Sequence, residues 1–152
     1  MQHDTPSFGL ALVRIVTGGI VLAAGWQKLR TGAGDELVLS TREAFAASPD
    51  ILRSVGDKVV LEHPSLFAKL IVWGQVLGGL AFFLGAFTRP FGFGLALMFT
   101  AFVLVGPADA RNLNVLLAVA CFACALSRAG RSMGADVFLD GRFPSLFTWT
   151  RG

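Results

Sequence analysis

The residues able to do chemistry in this chain are few, and they sit in apolar surroundings. Cys121 and Cys124 stand at i and i+3, so a helix there carries both thiols on one face. Such a dithiol could exchange electrons with a quinone or a disulfide. The competing reading is that free cysteines are small buried hydrophobes, and a mid-helix Cys-x-x-Cys lacks the helix-start position that lowers a thiol pKa. We take the second reading. Two thiols without further Cys or His nearby cannot complete a zinc site of about four ligands, so no metal site is expected.

Polar groups inside apolar runs are the other candidates. Arg14 lies about 9 Å along a helix that starts at Phe8. At that depth a guanidinium either snorkels to the nearer face or has a partner, and snorkelling alone would satisfy it. Asp136 is the first acid that an antiparallel bundle returns to that face, which makes an Arg14–Asp136 pair the expected structural tie, with Asp4 and Asp140 behind it. Gln75 lies near the middle of its run, where an amide must find an internal hydrogen-bond partner. Gln27, Lys28, Asp109, Arg111, Asn112 and Asn114 gather at the opposite face. With Arg14 and Gln75, the residues Gln27, Lys28, Arg111, Asn112 and Asn114 are candidates to shape a polar-mouthed pocket for an amphipathic ligand such as a quinone. Read singly, Lys28 and Asp109 fit ordinary interfacial caps better than a ligand site. No residue is assigned a catalytic role.

The elements that must carry these groups are four apolar segments. Residues 8–29 form an uncleaved first span of about the ~20 residues a bilayer needs, since the preceding MQHDTPS has no Lys or Arg and no cleavage site follows. A second span covers 66–87, introduced by Pro64-Ser65, and a third covers 91–105, after a turn that Pro90 enforces. Gly106-Pro107 breaks the chain before a fourth span at 112–126. The third and fourth are short, about 15 residues each, and must borrow flanking residues or sit where the bilayer thins.

Between spans one and two, residues 30–65 form a polar loop. Ser40-x-x-Glu43 has capping-box spacing, and Ile51, Leu52, Val55, Val59 and Val60 recur at helical spacing, giving either a surface helix or a loop packed over the bundle mouth. A tail of 127–152 closes the chain. The fold class is therefore all-α: an integral membrane four-helix bundle, a single domain over 1–152, with a polar, partly helical loop between helices 1 and 2. Glycines crowd the spans, and Gly74-x-x-x-Gly78 has the spacing for close helix packing within one chain or between copies in a homo-oligomer.

Composition agrees. Hydrophobic residues are 54% before the 18 glycines are counted, against about 45–50% with glycine in soluble domains. Charged residues are 15% and mean hydropathy is +0.65. These values exclude a disordered chain and a nucleic-acid-binding module. The net charge of +3 arises from few charges and says more about loops than about partners. Lys and Arg near span ends divide almost evenly between the two faces, so charge leaves the orientation open.

The residues resemble the DoxX/DoxD family of small bacterial and archaeal membrane proteins. The likeness rests on Arg14-x-x-x-Gly18 and Gly25-Trp26-Gln27-Lys28-Leu29 in span one, on Gly74-x-x-x-Gly78-Gly79 and Leu84-Gly85-Ala86-Phe87-Thr88-Arg89 around span two, and on Gly130-x-x-x-Gly134-x-Asp136 after span four. The loop ending in His63-Pro64 looks more like the DoxD-like branch, associated with the small subunit of a thiosulfate:quinone oxidoreductase. The resemblance implies a bacterial inner-membrane protein with both termini cytoplasmic, membrane lipid around it, and a redox or respiratory partner subunit beside it. The family often carries a glutamate where this chain has Gln75, and the amide speaks against a proton-carrying role there.

Two functions follow as expectations. One is an oxidoreductase subunit linked to quinone; with no haem, flavin or metal motif, its electron carrier would be quinone, the thiols or a partner protein. The alternative is a non-catalytic anchor or assembly subunit of a respiratory or redox-stress complex. A channel is disfavoured because the glycines predict close packing. For orientation, a cysteine introduced at Asp57 should react with a membrane-impermeant thiol reagent in intact cells and one at Ser145 should not; reversed labelling would invert the topology.

Overall fold

The computed structural model describes residues 8–32, 62–106, 108–127 and 134–136, with positions 39, 42, 43, 45, 50, 54, 56 and 58 of the long loop. The Ile51–Val60 apolar pattern, Ser40 of the capping box and most of the tail lie outside the described residues.

Four helices carry the fold: α1 (Phe8–Thr31), α2 (Pro64–Leu84), α3 (Thr88–Val105) and α4 (Arg111–Leu126), the last entered through a short 3-10 turn at Ala108–Ala110. All four are long and apolar enough to cross a membrane, counting the turn with α4. At about 1.5 Å per residue α1 and α2 reach roughly 32–36 Å, past a hydrocarbon core of about 30 Å, and α3 and α4 with its turn roughly 27–29 Å, just short of it. The third and fourth spans make up most of their expected shortfall with Thr88–Pro90 and with the 3-10 turn.

The expected end of the second span at Phe87 and start of the third at Phe91 both fall three residues late, since α2 ends at Leu84 and α3 begins at Thr88. The breaking residue is Gly85, not Pro90. Gly85 adopts the left-handed conformation (φ 67°), and the Gly85 and Ala86 N–H groups donate back to Phe82 O at 3.1 Å and Ala81 O at 2.8 Å. That pattern satisfies the last carbonyls of α2. Pro90 then sits third in α3, in the first turn, where no intrahelical N–H bond is lost.

The helices pack most closely as two antiparallel pairs, α1 with α2 and α3 with α4. On α1 the small residues Ala11, Gly18 and Gly25 recur every seventh position and are all buried. A Cβ at Gly18 would stand 2.5 Å from Phe83 N, one at Gly25 2.8 Å from Gln75 Cβ, and one at Gly79 2.5 Å from Leu22 N. The backbones of α1 and α2 therefore touch, which is how helices gain contact energy where lipid offers no hydrophobic drive. The Gly74-x-x-x-Gly78 spacing is split. Gly74 is exposed with nothing within 4 Å of a Cβ, whereas Gly78 meets Leu95 of α3 at 3.0 Å. Between the pairs lies a core of Val21, Phe82, Leu95, Phe99, Leu117 and Cys121. Leucines such as Leu70, Leu97 and Leu116 face outward.

This seam sets a test. Gly79→Ala forces backbone apart and should cost about 1–3 kcal/mol in detergent unfolding, whereas Gly74→Ala should be neutral or stabilising by up to about 1 kcal/mol from helix propensity. Equal effects would show that the α1–α2 contact does not hold the bundle.

Candidate functional site

Polar side chains gather at both ends of the bundle and differ in kind. At the end that carries the start of α1, Arg14 is wholly buried at 0% exposure. Its guanidinium lies against the α2–α3 turn, where a Cβ on Gly85 would overlap it and would also stand 2.8 Å from Gly134 Cα. Gly85 is thus required both by its positive φ and by the space its missing side chain leaves. Asp136 is near enough to attract the Arg14 charge.

The Asp136 carboxylate also serves the backbone. Its Oδ1 accepts the Phe87 N–H at 2.6 Å and its Oδ2 accepts the Thr88 N–H at 3.1 Å. The main chain around it adds Ala135 N–H to Leu84 O at 3.1 Å and Asp136 N–H to Gly85 O at 2.8 Å. Phe87 is the N-cap of α3, with no side-chain acceptor and a positive φ of 52°. A non-glycine residue there costs about 1–2 kcal/mol, and charge-assisted hydrogen bonds of about 1.5–3 kcal/mol each offset it. Asp136 is therefore a cap supplied from nearly fifty residues away. The sequence signal for it is the absence of Ser, Thr, Asp or Asn before Thr88, which leaves the α3 start in need of an acceptor.

At the other end, where the long loop attaches, the two helix pairs leave a chamber of about 360 Å³. Lys28, Gln75 and Asn114 supply its polar groups, and Phe67, Phe99 and Phe102 are among its walls. Lys28 Nζ donates to Gln75 Oε1 at 3.0 Å and stands 5.7 Å from the centroid of the Phe102 ring, within cation–π range. An ammonium only donates, so it fixes the amide orientation: the Gln75 oxygen faces Lys28 and the NH₂ group turns away. Gln75 is 2% and Asn114 9% exposed. The long loop reaches this chamber at Phe45, buried and part of the lining, with its ring 2.5 Å from a Cβ built on Gly56. At that point the loop packs over the bundle mouth.

Of the residues expected to shape one pocket, the structure brings together Lys28, Gln75 and Asn114. Gln27, Arg111 and Asn112 are exposed and do not line it. The reason is helical phase. Val21, Ala24 and Lys28 share the inward face of α1, while Gln27 is rotated by about 100° from Lys28. Arg14 stands about 21 Å from Lys28 along α1 and belongs to the other end. Cys121 and Cys124 are free, wholly buried and packed in the core between the two polar ends. The Cys124 thiol lies 4.0 Å from Leu10 O. Neither lines the chamber. Among the described residues no group of three or more His, Cys, Asp or Glu could hold a metal ion.

Four apolar helices with internalised polar groups define a multi-pass membrane protein with an amphipathic chamber at one end of its bundle. The DoxX family model matches residues 9–107, from the start of α1 past the end of α3, and the chain belongs to the DoxX family. No curated protein and no solved structure matches it. Arg14, Lys28 and Gln75 lie within the matched stretch; Asn114, the two cysteines and Asp136 follow it.

The terminal end yields a double-mutant cycle. Arg14→Ala and Asp136→Ala should each destabilise the protein by about 3–5 kcal/mol in detergent unfolding, because each strands a buried charge, and the double variant should lose less than the sum. Strictly additive losses would leave Asp136 as a backbone cap alone.

Proposed function

We propose that this DoxX-family protein binds a quinone-type ligand in the chamber and works as a membrane subunit linked to quinone-dependent redox chemistry. The observation that carries this reading is the grouping of the Lys28–Gln75 hydrogen bond and Asn114 within a mainly aromatic and aliphatic enclosure. A volume of about 360 Å³ falls at the lower end of the roughly 300–1,000 Å³ of ligand pockets and suits a single substituted ring. A quinone ring presents carbonyl oxygens, which accept hydrogen bonds. The chamber offers matching donors: the Lys28 ammonium, the Gln75 NH₂ and the Asn114 amide. Phe67, Phe99 and Phe102 give the ring apolar and edge-to-face contacts.

When bound, a quinone supplies two-electron redox chemistry that the side chains themselves lack. The chain's part is to hold and orient. Lys28 places positive charge beside one carbonyl, and its bond to Gln75 fixes both side chains before the ligand arrives, so little rotamer freedom is lost on binding. Exchange of electrons with a donor falls to a partner subunit in this reading. With both termini cytoplasmic in the inner membrane, the chamber faces the extracytoplasmic side.

The test is calorimetric titration of the purified full chain with a short-chain ubiquinone and a short-chain menaquinone. Gln75→Leu and Lys28→Met should each weaken binding about tenfold, the loss of one hydrogen bond of about 1.5 kcal/mol, while Asn112→Ala leaves it unchanged. Absence of binding by the folded wild-type chain, or equal affinity in Gln75→Leu, would overturn the quinone reading in favour of an anchor or assembly subunit.

A further inference from the structure

We propose that a second cavity, the crevice between the end of α1 and the start of α2, holds the headgroup of an anionic phospholipid. The crevice has a volume of about 210 Å³, and its lining includes Lys28, Gly32, Ser65, Lys69, Val72 and Trp73. Among the described residues, both ionisable groups in the lining are ammonium groups. Glu62, the acid just before α2, is exposed and outside it.

The lining is graded along the helix axis. Ser65, Lys69 and Trp73 follow one another at i, i+4 and i+8, so they descend one face of α2 over about 12 Å. The polar end lies where α1 ends and α2 begins, at Gly32 and Ser65, and the apolar end lies at Val72 and Trp73. The same polar end receives the positive end of the α2 dipole. Pro64 opens that helix, and its N-cap, His63, makes no side-chain cap bond. An occupant that fits is anionic at the membrane boundary and apolar about two helical turns deeper. A phospholipid phosphate with the upper part of its acyl chains has that form, and a free aqueous anion does not.

The outward surface beside the crevice is suited to the chains. Leu66 and Leu70 on α2 are each 67% exposed, and Trp73, near the middle of α2, is half exposed, so the surface next to the crevice is apolar to that depth. Lys69 is the crevice's own charge. Lys28 is shared with the chamber, where its ammonium donates to Gln75 and lies beside Phe102, so in the crevice it adds a nearby positive charge and Lys69 supplies the contact. The assignment does not depend on what the chamber binds.

Native mass spectrometry of the full chain from mixed micelles of phosphatidylglycerol and phosphatidylcholine tests this. The protein should retain phosphatidylglycerol preferentially. Lys69→Gln should reduce that preference about fivefold, the worth of one lysine near an anionic headgroup, with helicity unchanged by circular dichroism. Arg111→Gln, which removes an exposed cation at the same end of the bundle but outside the crevice, should leave the preference intact. Equal retention of the two lipids, or an equal loss with Arg111→Gln, would overturn the site. Suppression of retention by inorganic phosphate would overturn the lipid assignment in favour of an aqueous anion.

Discussion

The contact on which the rest of this structure depends is the approach of the α1 and α2 backbones. Gly18, Gly25 and Gly79 remove the side chains that would hold the two helices apart, and each stands within 3 Å of backbone or Cβ atoms across the seam when a Cβ is built on it. Gly25 faces Gln75 Cβ, and one turn further on Lys28 reaches the Gln75 amide at 3.0 Å. A wider seam would carry the ammonium away from its acceptor. At the other end the same pair of helices places Arg14 against Gly85. Both polar ends are therefore consequences of one close packing of glycines.

The two ends solve the cost of polar groups at membrane depth in different ways, and the difference separates a structural tie from a site. At the Arg14 end each oxygen of the Asp136 carboxylate accepts a backbone N–H while the carboxylate also acts on the guanidinium. Such an arrangement fixes the α2–α3 turn and the chain after α4. At the Lys28 end donors face a cavity, and the amide NH₂ of Gln75 is turned away from Lys28. Groups held rigid yet left with hydrogen-bonding capacity inside an enclosed space are what a ligand can use. The apolar layer of Val21, Leu95, Leu117 and Cys121 lies between the two ends, and Arg14 and Lys28 stand about 21 Å apart along α1.

Much of this was legible in the sequence, because the hydropathy of four runs and the depth of Arg14 and Gln75 are local properties. What was not legible depends on angle or on distance along the chain. Gln27 and Lys28 are adjacent in sequence but differ by about 100° around α1, enough to put one outside and the other in the chamber wall. Gly74 and Gly78 are spaced as a packing motif, yet the rotation of α2 gives Gly78 to Leu95 and leaves Gly74 facing outward. The α2–α3 boundary was misplaced because Pro90 is the more conspicuous breaker, whereas the left-handed Gly85 ends the helix and the proline sits harmlessly in the next first turn. The role of Asp136 as a distant cap and the entry of Phe45 into the chamber both require contacts that no local pattern encodes.

Charge decides what kind of ligand each cavity favours. Lys28 lines both cavities, and its named partners, the Gln75 oxygen and the Phe102 ring, are neutral. Among the described lining residues neither cavity contains an acid, and the contacts of the Lys28 ammonium are a carbonyl dipole and a π-face. In a medium of low dielectric such a charge attracts partial and full negative charge over several ångströms. On the proposed reading such a charge would disfavour a cationic ligand, hold a neutral one by its acceptor oxygens and hold one that gains negative charge more tightly still. In the two proposed sites a preference for electron-rich groups would come from one ammonium that lines both cavities, with the α1–α2 seam holding it there.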